Sequence, residues 1–97
     1  MSKAHTITKR IYQQFAEQIA QQIFDRDYLS GLFTVDDNQV RHILELCMVI
    51  YRNKSGEITD LADVWWDCST VEYDHNGEPR VKINDFDFAL LYKALIQ

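Results

Sequence analysis

The chain has 97 residues, a hydrophobic fraction of 46% and a net charge of −5. That length suits one domain rather than two, since two smaller cores would each need disulfide or metal staples. The negative charge disfavours direct binding to a nucleic-acid backbone, which calls for a surplus of Lys and Arg.

The two cysteines, Cys47 and Cys68, lie in apolar, strand-like runs. They read as buried thiols in a reducing cytoplasm rather than as a secreted disulfide framework. The opening residues contain no apolar run of the signal-peptide type, and no apolar run is long enough to span a bilayer. The expectation is a cytoplasmic chain with no membrane association.

Residues 6–28 predict an amphipathic helix. Ile7, Ile11, Phe15, Ile19 and Ile23 recur every four residues, with Tyr12, Ala16, Ala20 and Phe24 widening the stripe. Thr6 stands where an N-cap would, the two alanines suit close approach to a sheet, and the glutamines read as uncharged solvated surface. Ser30-Gly31 reads as a break, and Leu32 to Val35 as a short strand before the turn cluster Asp36-Asp37-Asn38.

From Val40 to Arg52 the period is two. Leu44, Leu46, Met48 and Ile50 fall on one face, and Ile43, Glu45, Cys47, Val49 and Tyr51 on the other. After a turn at residues 53–57, a second long strand is predicted from about Ile58 to Tyr73, irregular or bulged near residues 59–63. Asn76-Gly77 is a hairpin signal, with both central positions expected at positive φ. The return strand, Arg80 to Ile83, is expected at an edge because Pro79 lacks an N–H. A last helix is predicted from Asp85 to Ile96, capped by Asn84 and stapled by Ile83 and Phe88.

The expected fold is therefore a single α+β domain over residues 1–97. It has an N-terminal helix, a four-stranded antiparallel β-meander and a C-terminal helix, with both helices on one sheet face. The helix-and-strand order is similar to that of the double-stranded RNA-binding fold. The start of the last helix, however, carries Asp85 and Asp87 where phosphate contacts would require cations.

Trp65 and Trp66 are adjacent on a predicted strand, so they point to opposite faces. One belongs to the core. The other, near Cys47, Val49 or Tyr51, belongs to an open face, where an exposed tryptophan among apolar neighbours marks a contact surface. Trp65, Trp66, Tyr51 and Tyr73 are accordingly the candidate protein-contact residues, and self-association as a homodimer is included in that reading.

The run Asp60, Asp63, Asp67, Glu72, Asp74 and Glu78 suggests a second reading, an acidic inhibitor or nucleic-acid mimic from a phage or mobile element acting on a basic enzyme. A third is a small ligand-binding domain or enzyme with a pocket between helix and sheet. The three histidines, His5, His42 and His75, have no catalytic or zinc spacing, and Asp74 to Gly77 starts like a calcium loop without completing one. No phosphate loop is present. The expectation is a non-enzymatic chain with no catalytic residues, metal or cofactor.

Asp63-Val64-Trp65-Trp66, then Tyr73 through Gly77, then Asn84-Asp85-Phe86-Asp87-Phe88 resembles a family of small uncharacterised bacterial proteins. The resemblance covers roughly the C-terminal half. It implies a bacterial source and no mechanism.

Overall fold

The computed structural model describes residues 4–96; the first three residues of the segment read for a leader lie outside them. The elements are α1 (Lys9–Gln22), β1 (Tyr28–Asp37), β2 (Val40–Arg52), β3 (Ile58–Tyr73), β4 (Pro79–Lys82) and α2 (Phe88–Leu95). The strands form one antiparallel sheet in the order β1-β2-β3-β4. It is the expected α+β meander.

The core follows the period of two. Leu44, Leu46, Met48 and Ile50 of β2 are buried on one face, beside Leu29, Phe33 and Val35 of β1. Ile11, Phe15 and Ile19 of α1 and Leu91 of α2 join the same cluster, so both helices cover this face. Each such side chain contributes about 1.5–3 kcal/mol through burial, which outweighs helix propensity in holding α1 down.

α1 is shorter than its periodicity predicts, and Thr8, not Thr6, is its cap. The Thr8 side chain accepts from the Ile11 amide. The preceding residues are held in an extended path: His5 forms a parallel bridge with Asn84, and the Ile7 amide donates to Asp85 at 2.7 Å. At the other end the Arg52 guanidinium donates to the Ile23 carbonyl, placing a cation at the negative end of the helix. Not all of the glutamine face is idle surface. Gln18 donates to the Thr34 carbonyl at 2.8 Å, capping a backbone acceptor of β1, the outermost strand on this side.

β1 begins at Tyr28, so the expected break at Ser30-Gly31 lies inside the strand. Gly31 sits beneath the Phe33 ring, where a Cβ would meet the ring at 3.4 Å. The tips between β2 and β3 and between β3 and β4 share one design. Asn53 and Asp74 each accept, through the side-chain oxygen, from amides two and four residues on. Gly56 (φ 86°) and Gly77 (φ 77°) supply the left-handed residue that closes each turn. Asn76 is not among the residues at positive φ, so the Asn-Gly hairpin is the longer, bulged kind rather than the two-residue turn expected.

Register shifts where β2 passes β3. Cys47 faces Trp65, whereas Val49 faces Ala62. Two steps on β2 thus match three on β3. The extra residue is a β-bulge at Asp63, whose φ is 51°. The bulge reverses the alternation, so Leu61 on one side and Val64, Trp66, Cys68 and Thr70 on the other all turn toward the helices.

α2 starts three residues later than predicted, capped by Asp87 through the Ala89 amide at 2.9 Å. Asn84 has a different task. Its amide donates to the Cys68 carbonyl and the Thr70 hydroxyl and accepts from the Phe86 amide, pinning the chain to β3. Ile83 is exposed, so the predicted staple with Phe88 is absent; Phe86 and Leu91, both buried, occupy those positions instead.

Candidate functional site

Among the described residues, no helix packs on the second face of the sheet. Its side chains come from alternating positions, so each row can be read across the strands. Tyr28, Val49 and Ala62 form one row; Ser30, Cys47 and Trp65 the next; then Leu32, Glu45 and Asp67; then Thr34, Ile43 and Ser69. Asp36, Arg41 and Val71 follow, with Val81 beyond them on β4.

The apolar side chains of this face are solvated. Leu32 is 61% exposed, Trp65 53% and Tyr51 53%, and Tyr28 and Val81 are also open. On a face backed by a closed core, such a surface is the main feature that folding does not explain.

The structure separates the four sequence candidates. Trp65 and Tyr51 lie on the open face, at rows about 13 Å apart along β2. Tyr73 shares the face but stands eight residues from Trp65 along β3, opposite Pro79, so it belongs to another end of the sheet. Trp66 faces the helices at the rim of the core and is itself 38% exposed, so neither tryptophan is the core residue expected. The Trp66 ring lies 4.9 Å from Phe86, and Phe86 also stacks against Tyr12 at 5.5 Å. Trp66 is therefore excluded from the open-face site by the parity that the bulge sets.

Leu32, Tyr28 and Glu45 are not among the sequence candidates, and Asp67 enters there only as part of the acidic run. Tyr28 had been assigned to the end of the helix, and Leu32 to a strand too short to show its neighbours. The alternation of β2 did place Glu45 on this face; its pairing with Asp67 required the register.

The acidic residues near β3 are largely engaged locally. Asp60 accepts from the Tyr92 hydroxyl at 3.0 Å, Glu72 lies 3.2 Å from His5, Asp74 organises its turn, and Asp85 and Asp87 hold chain ends. Asp67 and Glu72 lie on opposite faces of β3.

On the helix side a polar cluster is sealed into the fold. His42 Nδ1 lies 2.9 Å from the Thr70 hydroxyl, and both residues are buried. Burial, followed by the nearby His5, pushes the His42 imidazole below its ordinary pKa, while Asp37 and Asp36 oppose this. The ring of His5 stands 6.3 Å away, edge-on. Thr70 is wholly shielded, so no substrate reaches its hydroxyl. Burial, with the Asp67 charge adding to it, pushes the Cys68 thiol up to about 12, which leaves it unreactive at neutral pH.

An open groove of about 770 Å³ lies between α1 and α2, with Ala16, Ala20, Ala94, Leu90, Lys9 and Lys93 among its lining. Of the two α1 alanines, Ala16 is buried in the core while Ala20 is exposed along this groove. Among the described residues no group of three or more His, Cys, Asp or Glu could hold a metal ion. None of the described helices is long and apolar enough to cross a membrane. In comparisons with known proteins, no family model, curated protein or solved structure matches the chain.

Proposed function

We propose that this chain is a small protein-binding module whose working surface is the open sheet face, with Trp65, Leu32, Tyr28 and Tyr51 as anchors. The observation that carries the reading is the contrast between the two faces. One packs the apolar core; the other exposes large apolar side chains on three adjoining strands, with no helix among the described residues over them. Interface centres favour tryptophan and tyrosine, which bring large contact area at small entropic cost. Two cysteines on opposite faces of the sheet suit a reducing, cytoplasmic setting, and the likeness noted in the C-terminal half suits a bacterial one.

The test is selection of a randomised displayed-peptide library on the immobilised protein, with Leu32→Ser and Trp65→Ser variants as counter-targets. The expected outcome is a set of peptides whose affinity falls at least about tenfold on either variant, both of which keep the parent circular dichroism. Binders indifferent to both substitutions would sink the reading. Sedimentation equilibrium on the free protein separates self-association from waiting for another partner.

A further inference from the structure

The open face is not uniformly apolar. Glu45 of β2 and Asp67 of β3 are direct cross-strand partners near its middle, both exposed. Side chains in such pairs stand about 4.5–5.5 Å apart at Cβ, and like charges there destabilise the sheet. Among the described residues neither carboxylate has an ion-pair partner. Arg41, two open-face positions along β2 from Glu45, is committed to Asp36 at 2.7 Å. The repulsion is therefore left standing within the fold.

The surroundings of the pair are specific. Leu32 lies opposite Glu45 on β1. Trp65 precedes Asp67 by two residues on β3, on the same face and about 7 Å along the strand. Two carboxylates side by side next to an exposed indole suit one side chain above others. A guanidinium has five donors in a planar fork, so it can bond both carboxylates and lay its flat face on the indole. A lysine ammonium satisfies the charge but neither the fork nor the stacking.

We infer that the open face receives a partner protein presenting an arginine amid apolar residues, the guanidinium seated between Glu45 and Asp67 against Trp65. This rests on the protein-binding reading of the face and adds the chemistry of the partner. Charge complementarity selects this occupant. A second copy of the chain, stacked face to face, would bring another Glu45 and Asp67 pair and another share of the −5 net charge to the same interface. Nucleic acid and anionic lipid are repelled for the same reason.

The peptides selected on the open face provide the test, together with a Glu45→Gln/Asp67→Asn double variant. Selected peptides are expected to carry an arginine flanked by apolar residues. Their affinity should fall at least about tenfold on the double variant, and also when that arginine is replaced by lysine. Peptides without a basic side chain, weakened by Trp65→Ser but indifferent to the double variant, would overturn the arginine site and leave the face intact. Peptides indifferent to every substitution would overturn both. A dimer in sedimentation equilibrium that Trp65→Ser dissociates would make a second copy the occupant and also overturn the inference. Circular dichroism of the double variant is the fold control, expected to match the parent because neutralising the pair relieves repulsion.

Discussion

His42 and Thr70 face each other across β2 and β3 inside the core, 2.9 Å from ring nitrogen to hydroxyl, with Asn84 donating to the same hydroxyl at 3.1 Å. The imidazole titrates below its ordinary 6.5, first because it is buried and then because of His5; Asp37 and Asp36 act against this. On acidification the unfolded chain therefore binds this proton first. The His42 contribution to stability is complete above the unfolded value and is lost as pH falls from 6.5 toward the lowered folded value. Urea midpoints measured between about pH 7 and about pH 5 should fall, and more steeply than in His42→Asn, whose side-chain amide can still meet Thr70 but does not titrate. Equal slopes in the two proteins would show that other groups carry the pH dependence.

Glu45→Gln and Asp67→Asn should each stabilise the isolated protein, by roughly a few tenths of a kcal/mol, because each removes one of two facing like charges. Added salt should stabilise the parent more than either variant, since there is more repulsion to screen. Chemical denaturation with urea, which is uncharged, at two salt concentrations measures both effects. Destabilisation by either substitution would mean that the carboxylate has a supporting role in the fold.

The two tryptophans differ more in packing than in exposure, which is 53% for Trp65 and 38% for Trp66. Trp65→Ala removes a half-exposed ring and should change stability by no more than about 0.5 kcal/mol. Trp66→Ala removes the ring that packs on Phe86 and should cost about 2 kcal/mol. Acrylamide, a neutral quencher that the acidic face does not repel, should quench Trp65 in Trp66→Phe more than Trp66 in Trp65→Phe. The reverse order would place the sheet parity the other way round.

Cys47 and Cys68 lie on opposite sides of the sheet, facing Trp65 and Leu44 respectively. Diamide should form no intrachain bridge between them. Ellman's reagent should label Cys47 in the native protein and reach Cys68 only on unfolding, because Cys68 is half-buried and its pKa is pushed up to about 12. Intact mass after labelling counts the modified thiols; fast labelling of both would contradict this placement.

The bulge depends on Asp63 holding φ at 51°. Aspartate tolerates that region, a β-branched residue does not. Asp63→Val should cost about 1–2 kcal/mol in urea unfolding, while Asp63→Gly should be neutral or slightly stabilising. A loss of similar size in both would indicate that the side chain, rather than its backbone conformation, matters there.

Local chemistry made much of this fold readable. β2 and β3 begin and end where alternation and β-branched residues predicted, because a half-buried strand writes its period directly into the chain. The stripe of α1 named Ile11, Phe15 and Ile19 as core for the corresponding helical reason. Helix ends were less legible. Asn84 and Thr6 look like caps in isolation, but Asn84 is drawn to Thr70, and residue 5 pairs with residue 84, across nearly the whole chain.

The candidate site divides along the same line. Sequence alone required that Trp65 and Trp66 point to opposite faces, since successive strand residues always do. It also carried the contrast between an apolar and a mixed face of β2. Which tryptophan meets solvent was decided only when β3 was laid against β2. From Leu61, buried on the helix side, unbroken alternation would turn residue 65 inward and 66 outward. The additional residue at Asp63 reverses that parity, sends Trp66 to Phe86, and leaves Trp65 on the open face beside the facing carboxylates of Glu45 and Asp67.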